Sequence, residues 1–356
     1  MIPVTKPFSP PIEEYQKLLE GIWDRNWFTN NGPLVQQLEQ ELKDYLHVSN
    51  LLYVSNGTVA LQIAIKALGL SKEIITTPFS YVATTSSIVW EGCTPVFVDI
   101  DPHTLNIDPT KIEDAITSET EAILATHCFG NPCDIDAIDL IAKKHGLKVI
   151  YDAAHCFGTK YKGNSVFSYG DVSTVSFHAT KLYHTIEGGA LFASNPKVLQ
   201  RMSLMRNFGH DGPDRYEGVG INGKNSEFHA AMGIVNLRYI QEILDKRKLI
   251  SHEYSKELSE KSLVIPEIQK DANYNFAYYP IILESEEVLL KIKAILESNN
   301  IFPRRYFYPS LDNLNYVEGE CPTSQDIASR ILCLPMYHSL SLPEQYRIHQ
   351  LINSVL

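Results

Sequence analysis

Short runs of consecutive apolar residues alternate, through the first two thirds of the chain, with longer stretches whose apolar positions recur at helical spacing. The runs Leu51–Val54, Glu73–Thr76, Pro95–Asp99, Ala122–His127, Lys148–Tyr151, Val172–Phe177 and Ala190–Ala193 predict strands. The periodic stretches Ile12–Arg25, Pro33–Leu46, Val59–Leu68, Val82–Trp90, Pro109–Ala115 and Asp134–His145 predict helices. Strands separated by helix-length segments make crossovers, not hairpins, so the alternation predicts an α/β fold with a mainly parallel, helix-covered sheet. Beyond Phe228 a charge-rich helical pattern runs towards Ser262 and leads into Tyr278–Leu283, Val288–Ser298 and the tail. These segments predict a smaller α+β unit, which divides the chain into a large domain over 1–240 and a small one over 241–356.

The chain of 356 residues is long enough to bury cores in both units, and its 44% hydrophobic and 21% charged residues are those of a globular protein. A net charge of −11 argues against nucleic acid or an anionic membrane as partner, and an anionic substrate would have to be met by local basic groups. Six cysteines, at 93, 128, 133, 156, 321 and 333, form no CxxC pair and no repeated metal spacing, so no metal site is expected. The opening MIPVTKPFSPPIEEY lacks a basic segment followed by an apolar core, and no apolar run approaches the ~18 residues of a membrane span. A soluble, cytoplasmic protein is expected.

Candidate chemistry gathers at three places. In Val172–Leu191, VSTVSFHATKLYHTIEGGAL, Lys181 follows a strand with Ser176 five residues before it and Gly188-Gly189 after it. An amine there, desolvated by apolar neighbours, suits covalent attachment of a phosphorylated aldehyde, pyridoxal phosphate; the alternative is a surface lysine in a turn. Upstream, the strand Val149–Tyr151 ends in Asp152, at the carboxyl end of a strand where ligands of open α/β sheets bind. Such a carboxylate can face the cofactor's ring nitrogen, or merely cap the next helix. Further upstream, Leu51–Val54, Ser55-Asn56-Gly57-Thr58 and an apolar helix make a strand–turn–helix whose first N–H groups, with the Thr58 hydroxyl, can hold a phosphate. Each motif alone is common. Their order along one chain is not. A literal GxGxxG at Gly218–Gly223 follows a polar loop and no strand, so it is read as a tight loop and not as a dinucleotide site.

Taken together, SNGTVAL, PFSYVAT, DAAHCFG, SFHATK, EGG and LPMY resemble the nucleotide-sugar aminotransferases of the DegT/DnrJ/EryC1/StrS family, from Trp27 to Tyr337. The form SFHATKLYHTIEGG is most similar to members making dTDP-4-amino-4,6-dideoxyglucose from the 4-keto-6-deoxy sugar. The resemblance implies fold type I, the aspartate aminotransferase-like fold, with the lysine on a late strand and one antiparallel strand. It implies that Lys181 holds pyridoxal phosphate and shuttles a proton, that Asp152 meets the ring nitrogen, and that Gly57, Thr58 and Ser176 ring the phosphate. His155, often glutamine in the family, would bond the phenolic oxygen, and Tyr81 would stack on the ring. Asn222 would reach the neighbouring subunit's phosphate, which implies a homodimer with shared active sites; Lys224 stands where the family has arginine. Trp27, Asn30, His184 and Arg304, beside Arg305, Tyr306 and Tyr308, are candidates for the sugar nucleotide. Relatives with histidine in place of the lysine are dehydratases, so Lys181 favours transamination. The expected reaction moves an amino group from L-glutamate to C-4 of dTDP-4-keto-6-deoxy-D-glucose. Amination at C-3 of a 3-keto sugar, and a non-catalytic regulatory protein on the same fold, are the alternatives.

Overall fold

A computed structural model describes residues 1–258 and 262–356. Its centre is a seven-stranded sheet of β1 (Leu51–Val54), β2 (Glu73–Thr76), β3 (Thr94–Phe97), β4 (Thr120–Thr126), β5 (Lys148–Asp152), β6 (Val172–Ser176) and β7 (Gly189–Ala193), in the order β1-β7-β6-β5-β4-β2-β3. Five strands, β3 to β6 by way of β2, run parallel, whereas β7 is antiparallel to both β1 and β6. This is the parallel α/β sheet with one reversed strand. Most of its strand residues are buried, as expected where helices cover both faces.

The helices follow their apolar patterns. In α1 (Ile12–Arg25) only Ile22 is fully buried, whereas α2 (Pro33–Leu46) buries Leu34, Val35, Leu38, Leu42 and Leu46 at spacings of one face. Pro33 begins α2, and the buried Glu227 carboxylate, distant in sequence, accepts hydrogen bonds from Leu34 N at 3.0 Å and Val35 N at 2.9 Å. A carboxylate there satisfies orphan donors and complements the helix dipole. Helix α3 (Gly57–Ala67), mostly apolar, packs against the sheet and against α4 (Val82–Trp90). Helix α5 (Ile135–His145) is capped by the Asp134 side chain and ends on Gly146 in the left-handed region.

Three expectations change. The helix read over Pro109–Ala115 is two 3₁₀ turns, Pro109–Lys111 and Glu113–Ala115; the Asp108 carboxylate accepts the Thr110 N–H, and the backbone bonds close over three residues. After α6 (Pro196–Arg206), the long pattern beyond Phe228 is two helices, α7 (Glu227–Leu237) and α8 (Ile240–Leu258); its expected end reaches residues 259–261, outside the described residues. Tyr239 N bonds to Asn236 O in the tightened turn between them. The first residues also leave the unit that the reading 1–240 gave them. Ile2–Pro3 pairs in parallel with Ile301–Phe302, and Ile2 packs into the carboxyl-terminal core with Tyr254, Leu289 and Ile348. That core lies on an antiparallel sheet of β8 (Leu263–Val264), β9 (Tyr279–Leu283) and β10 (Ile331–Leu334), flanked by α8, α9 (Glu286–Ser298) and α10 (Leu342–Asn353).

Candidate active site

A cavity of about 510 Å³ opens at the carboxyl ends of β4, β5 and β6, where Thr126, Asp152 and Ser176 line it. Open α/β sheets bind ligands at this end. At its floor, β1 turns through Asn56 into α3. Asn56 is extended, and its side chain accepts the Val59 N–H at 2.8 Å, so Gly57 and Thr58 open the helix at the cavity wall. A Cβ on Gly57 would stand 3.0 Å from the Ser176 Cβ, so glycine lets the helix start close against the end of β6. The result is a small cradle bounded by a helix N-terminus and two hydroxyls, which is the donor set an anion needs.

Lys181 lies on the turn after β6, not on a strand. Phe177 and Tyr183 anchor that turn: Tyr183 stacks on Phe157 at 4.2 Å and meets Phe177 edge-on at 5.1 Å, while its hydroxyl bonds to Gly233 O. Lys181 N donates to His178 O and Thr185 N to Phe177 O, both at 2.9 Å. The Gly188-Gly189 pair closes the turn for a reason other than the turn itself. A Cβ on Gly189 would sit 2.6 Å from the Asn56 carbonyl carbon, so β7 can slide beside the α3 start only without a side chain there.

Burial drives the Lys181 amine down to about 8, against the opposing pull of Asp152 and Tyr81. Burial pushes Asp152 up, while hydrogen bonds from Thr84 Oγ1 to Oδ2 at 2.6 Å and from Ala154 N to Oδ1 at 3.1 Å, with the Lys181 charge, pull it down. His155 is held well below its ordinary range by burial, so its imidazole is neutral. Its ring lies parallel to Phe307 at 5.9 Å and against Tyr278 at 4.7 Å, and its buried Nδ1 has no hydrogen-bond partner among the described residues.

The remaining expected residues divide. Tyr81 lines the cavity at the start of α4, and Arg304 lines it with its guanidinium 4.8 Å from the Tyr306 ring centre. Arg305 turns away, bonded to Glu286 and to Ser329 O. His184 is not a cavity residue. It is buried, with Nε2 2.8 Å from Phe8 O and its own carbonyl accepting from Asn236, because it follows the anchored Tyr183 into the core. Trp27 and Asn30 are exposed outside the cavity, on the turn between α1 and α2, with Trp27 Nε1 donating to Thr29 O. Asn222 is exposed in the loop that carries the GxGxxG letters, where it bridges Asn207, and it does not line its own chain's cavity. Sequence reading missed Ser80, Thr126, His178, Glu187 and Tyr278, which line the cavity, and Thr84 behind it. Of these, Ser80 and Thr84 had a signal, since they flank Tyr81 in PFSYVAT four positions apart.

Pyridoxal phosphate fits these residues: the Gly57 cradle suits its phosphate, the orphaned His155 Nδ1 is a buried polar atom needing a partner, and a desolvated amine and a carboxylate share the cavity. Among the described residues no group of His, Cys, Asp and Glu could hold a metal, and the six cysteines are buried and unpaired. No described helix is long and apolar enough to cross a membrane.

The chain is similar over 348 residues, at 46% identity, to the dTDP-4-amino-4,6-dideoxy-D-glucose transaminase of Shigella dysenteriae, covering 95% of this chain and 94% of that protein. To the transaminase of the same name from Escherichia coli it is 39% identical over 355 residues, 96% of this chain and 95% of the other. Its backbone matches the crystal structure of DesI in the presence of its TDP-sugar product with a TM-score of 0.94 at 29% identity, covering 99% of this chain and 92% of that one. The sequence profile of the DegT/DnrJ/EryC1/StrS aminotransferase family spans residues 11–353. With a type I sheet, a buried aspartate at a strand end, a lysine on the turn after β6 in the same cavity and that full-length match, the chain belongs to the DegT/DnrJ/EryC1/StrS aminotransferase family.

Proposed function

We propose that this protein is a pyridoxal phosphate-dependent aminotransferase that moves the amino group of L-glutamate to C-4 of dTDP-4-keto-6-deoxy-D-glucose, giving dTDP-4-amino-4,6-dideoxy-D-glucose. The observation that carries the reading is one cavity holding the Lys181 amine, brought down to about 8, together with the Asp152 carboxylate. The choice of sugar is supported by the likeness to the two dTDP-4-amino-4,6-dideoxy-D-glucose transaminases.

When bound, pyridoxal phosphate supplies the electron sink for exchanging an amine for a ketone. The protein supplies the rest. Gly57, Thr58 and Ser176 would hold the phosphate end, Tyr81 would cover the ring, and His155 would offer its free nitrogen to the ring oxygen. Asp152 would keep a negative charge against the ring nitrogen. Lys181 Nζ would anchor the group covalently, and as a free amine it would take the proton from the donor α-carbon and later deliver one to C-4 of the sugar. An amine near 8 is partly neutral at neutral pH, as a base must be. Arg304 would hold an anionic part of a substrate at the cavity mouth.

The working form would be a homodimer with shared sites. Exposed Phe208, Tyr216, Val219 and Ile221 give the loop that carries Asn222 an apolar surface. Mixed dimers of Lys181→Ala and Asn222→Ala chains should regain activity if Asn222 serves the partner's site, and should stay inactive if it serves its own. Incubation of the holoenzyme with L-glutamate and each keto sugar, with the product assigned by NMR, tests the reaction. An amine at C-4 is expected, an amine at C-3 would move the reading to the other sugar class, and no amine from any keto sugar would overturn it.

A further inference from the structure

Beside Asp152 three hydroxyl groups form a continuous chain, with Ser80 and Thr126 on the cavity wall and Thr84 behind it. Thr84 Oγ1 donates to Asp152 Oδ2 at 2.6 Å, Ser80 Oγ lies 2.7 Å from Thr84 Oγ1, and Thr126 Oγ1 lies 2.9 Å from Ser80 Oγ. All three side chains are buried, and they come from separate places: the loop after β2, helix α4 and the end of β4.

The chemistry of hydroxyls sets the direction of the chain. An ionised carboxylate only accepts, so the single Thr84 proton is committed to Asp152. Thr84 must then accept from Ser80, whose proton is spent in turn, and Ser80 must accept from Thr126. Every dipole in the chain therefore points its positive end at the carboxylate. Hydrogen bonds aligned in this way polarise one another, and in a site shielded from water each is stronger than it would be in solvent. Burial works against a charged Asp152, and the hydroxyl chain works for it.

We infer that Thr84 is a positioning residue for the amino-transfer reaction, holding Asp152 ionised and aimed at the cofactor's ring nitrogen through a one-way Thr126–Ser80–Thr84 hydroxyl chain. The inference rests on the functional reading above, in which Asp152 meets that nitrogen. It gives the PFSYVAT segment a second task, since Thr84 and Ser80 support the carboxylate while Tyr81, beside Ser80 on the cavity wall, is left for the ring.

The test uses the holoenzyme reconstituted with pyridoxal phosphate labelled with ¹⁵N in the ring, and the variants Thr84→Val, Thr84→Ser, Ser80→Ala and Asp152→Asn. Thr84→Val should move the ring ¹⁵N signal toward the unprotonated position and lower kcat by about 10- to 100-fold, the effect of losing one hydrogen bond to a charged group, with KM changed less. Thr84→Ser should restore both. Ser80→Ala should act in the same direction with a smaller shift, and it decides the matter should Thr84→Val fail to fold. An unmoved ¹⁵N signal and unchanged kcat in the folded Thr84 variant, or in Ser80→Ala where it stands in, would overturn the inference. Asp152→Asn separates the two levels. A shifted signal in that variant without one in Thr84→Val sinks the hydroxyl chain alone, whereas no shift in Asp152→Asn sinks the placement of Asp152 itself.

Discussion

Two cavities of nearly equal volume, about 510 and about 500 Å³, border the segment 154–160, the first at Ala154 and His155 and the second at Gly158, Thr159 and Lys160. The second is lined by Tyr45, Lys160, Ser165, Asp245, Lys248 and Asn273, among others, in the seam between the end of α2, the hairpin near residue 161 and helix α8. It too contains lysine and aspartate. The difference lies in where those charges stand. Lys248 and Asp245 are exposed on a helix surface, where water screens them, whereas Asp152 is buried at the end of β5 and Lys181 is half-buried on the turn after β6, in a cavity also lined by Tyr278, Tyr306 and Phe307. Desolvation costs stability and in return leaves an amine able to lose its proton near neutral pH. Volume does not distinguish the two cavities, but the cost of burying charge does.

The comparison breaks most visibly at Lys181. Lys181→Ala should abolish the covalently bound cofactor's absorbance and lower turnover by at least about 10³-fold. Turnover near that of the unaltered enzyme would mean that the amine is incidental. Next, Asp152→Asn removes charge while keeping shape, so kcat should fall by ~10²-fold or more with a smaller change in cofactor affinity. Steady-state kinetics beside a cofactor titration of the apoenzyme reads both.

A third test concerns the cost of burial. The Lys181 amine is near 8 in the folded protein and 10.5 as its ordinary value. Between those values the unfolded chain binds a proton that the folded chain does not, so this group's contribution to stability rises with pH from about 8 to 10.5 and is unfavourable in full below 8. Apo Lys181→Met should therefore be more stable than the unaltered apoprotein at pH 7, by on the order of 3 kcal/mol, with the gap closing above pH 10.5. Denaturant unfolding at pH 7 and 10 checks the trend; a variant less stable at pH 7 would show that the amine is not paying a desolvation penalty. The smallest effect belongs to the other cavity. Lys248→Ala should change kcat and KM by less than about twofold and stability by no more than about 0.5 kcal/mol. A large kinetic effect there would erase the contrast between the two regions.

Much of the site was readable because its parts are local. The Asn56 cap, the glycine opening α3 and the carboxylate ending β5 each depend on a few consecutive residues, and Lys181 stands four residues beyond the buried Phe177. His184 misled for a related reason. It is polar and close to Lys181 in sequence, but the packing of Tyr183 carries the chain inward before it arrives. Arg304 and Arg305 look equivalent as letters, and only their partners separate them.

The sequence by itself determined the alternation of strands and helices, the strand-end placement of Asp152 and the place of Lys181 beyond the strand that ends in Ser176, because periodicity and capping act within one element. Only the tertiary structure decided that Thr84 reaches Asp152 across 68 positions, that Glu227 caps α2 from 192 positions away, and that Ile2 joins the carboxyl-terminal core. It also showed that Gly189 is small because Asn56 passes beside it. Such contacts depend on which strands become neighbours, and the order β1-β7-β6-β5-β4-β2-β3 is set by packing the whole chain, not by any segment of it.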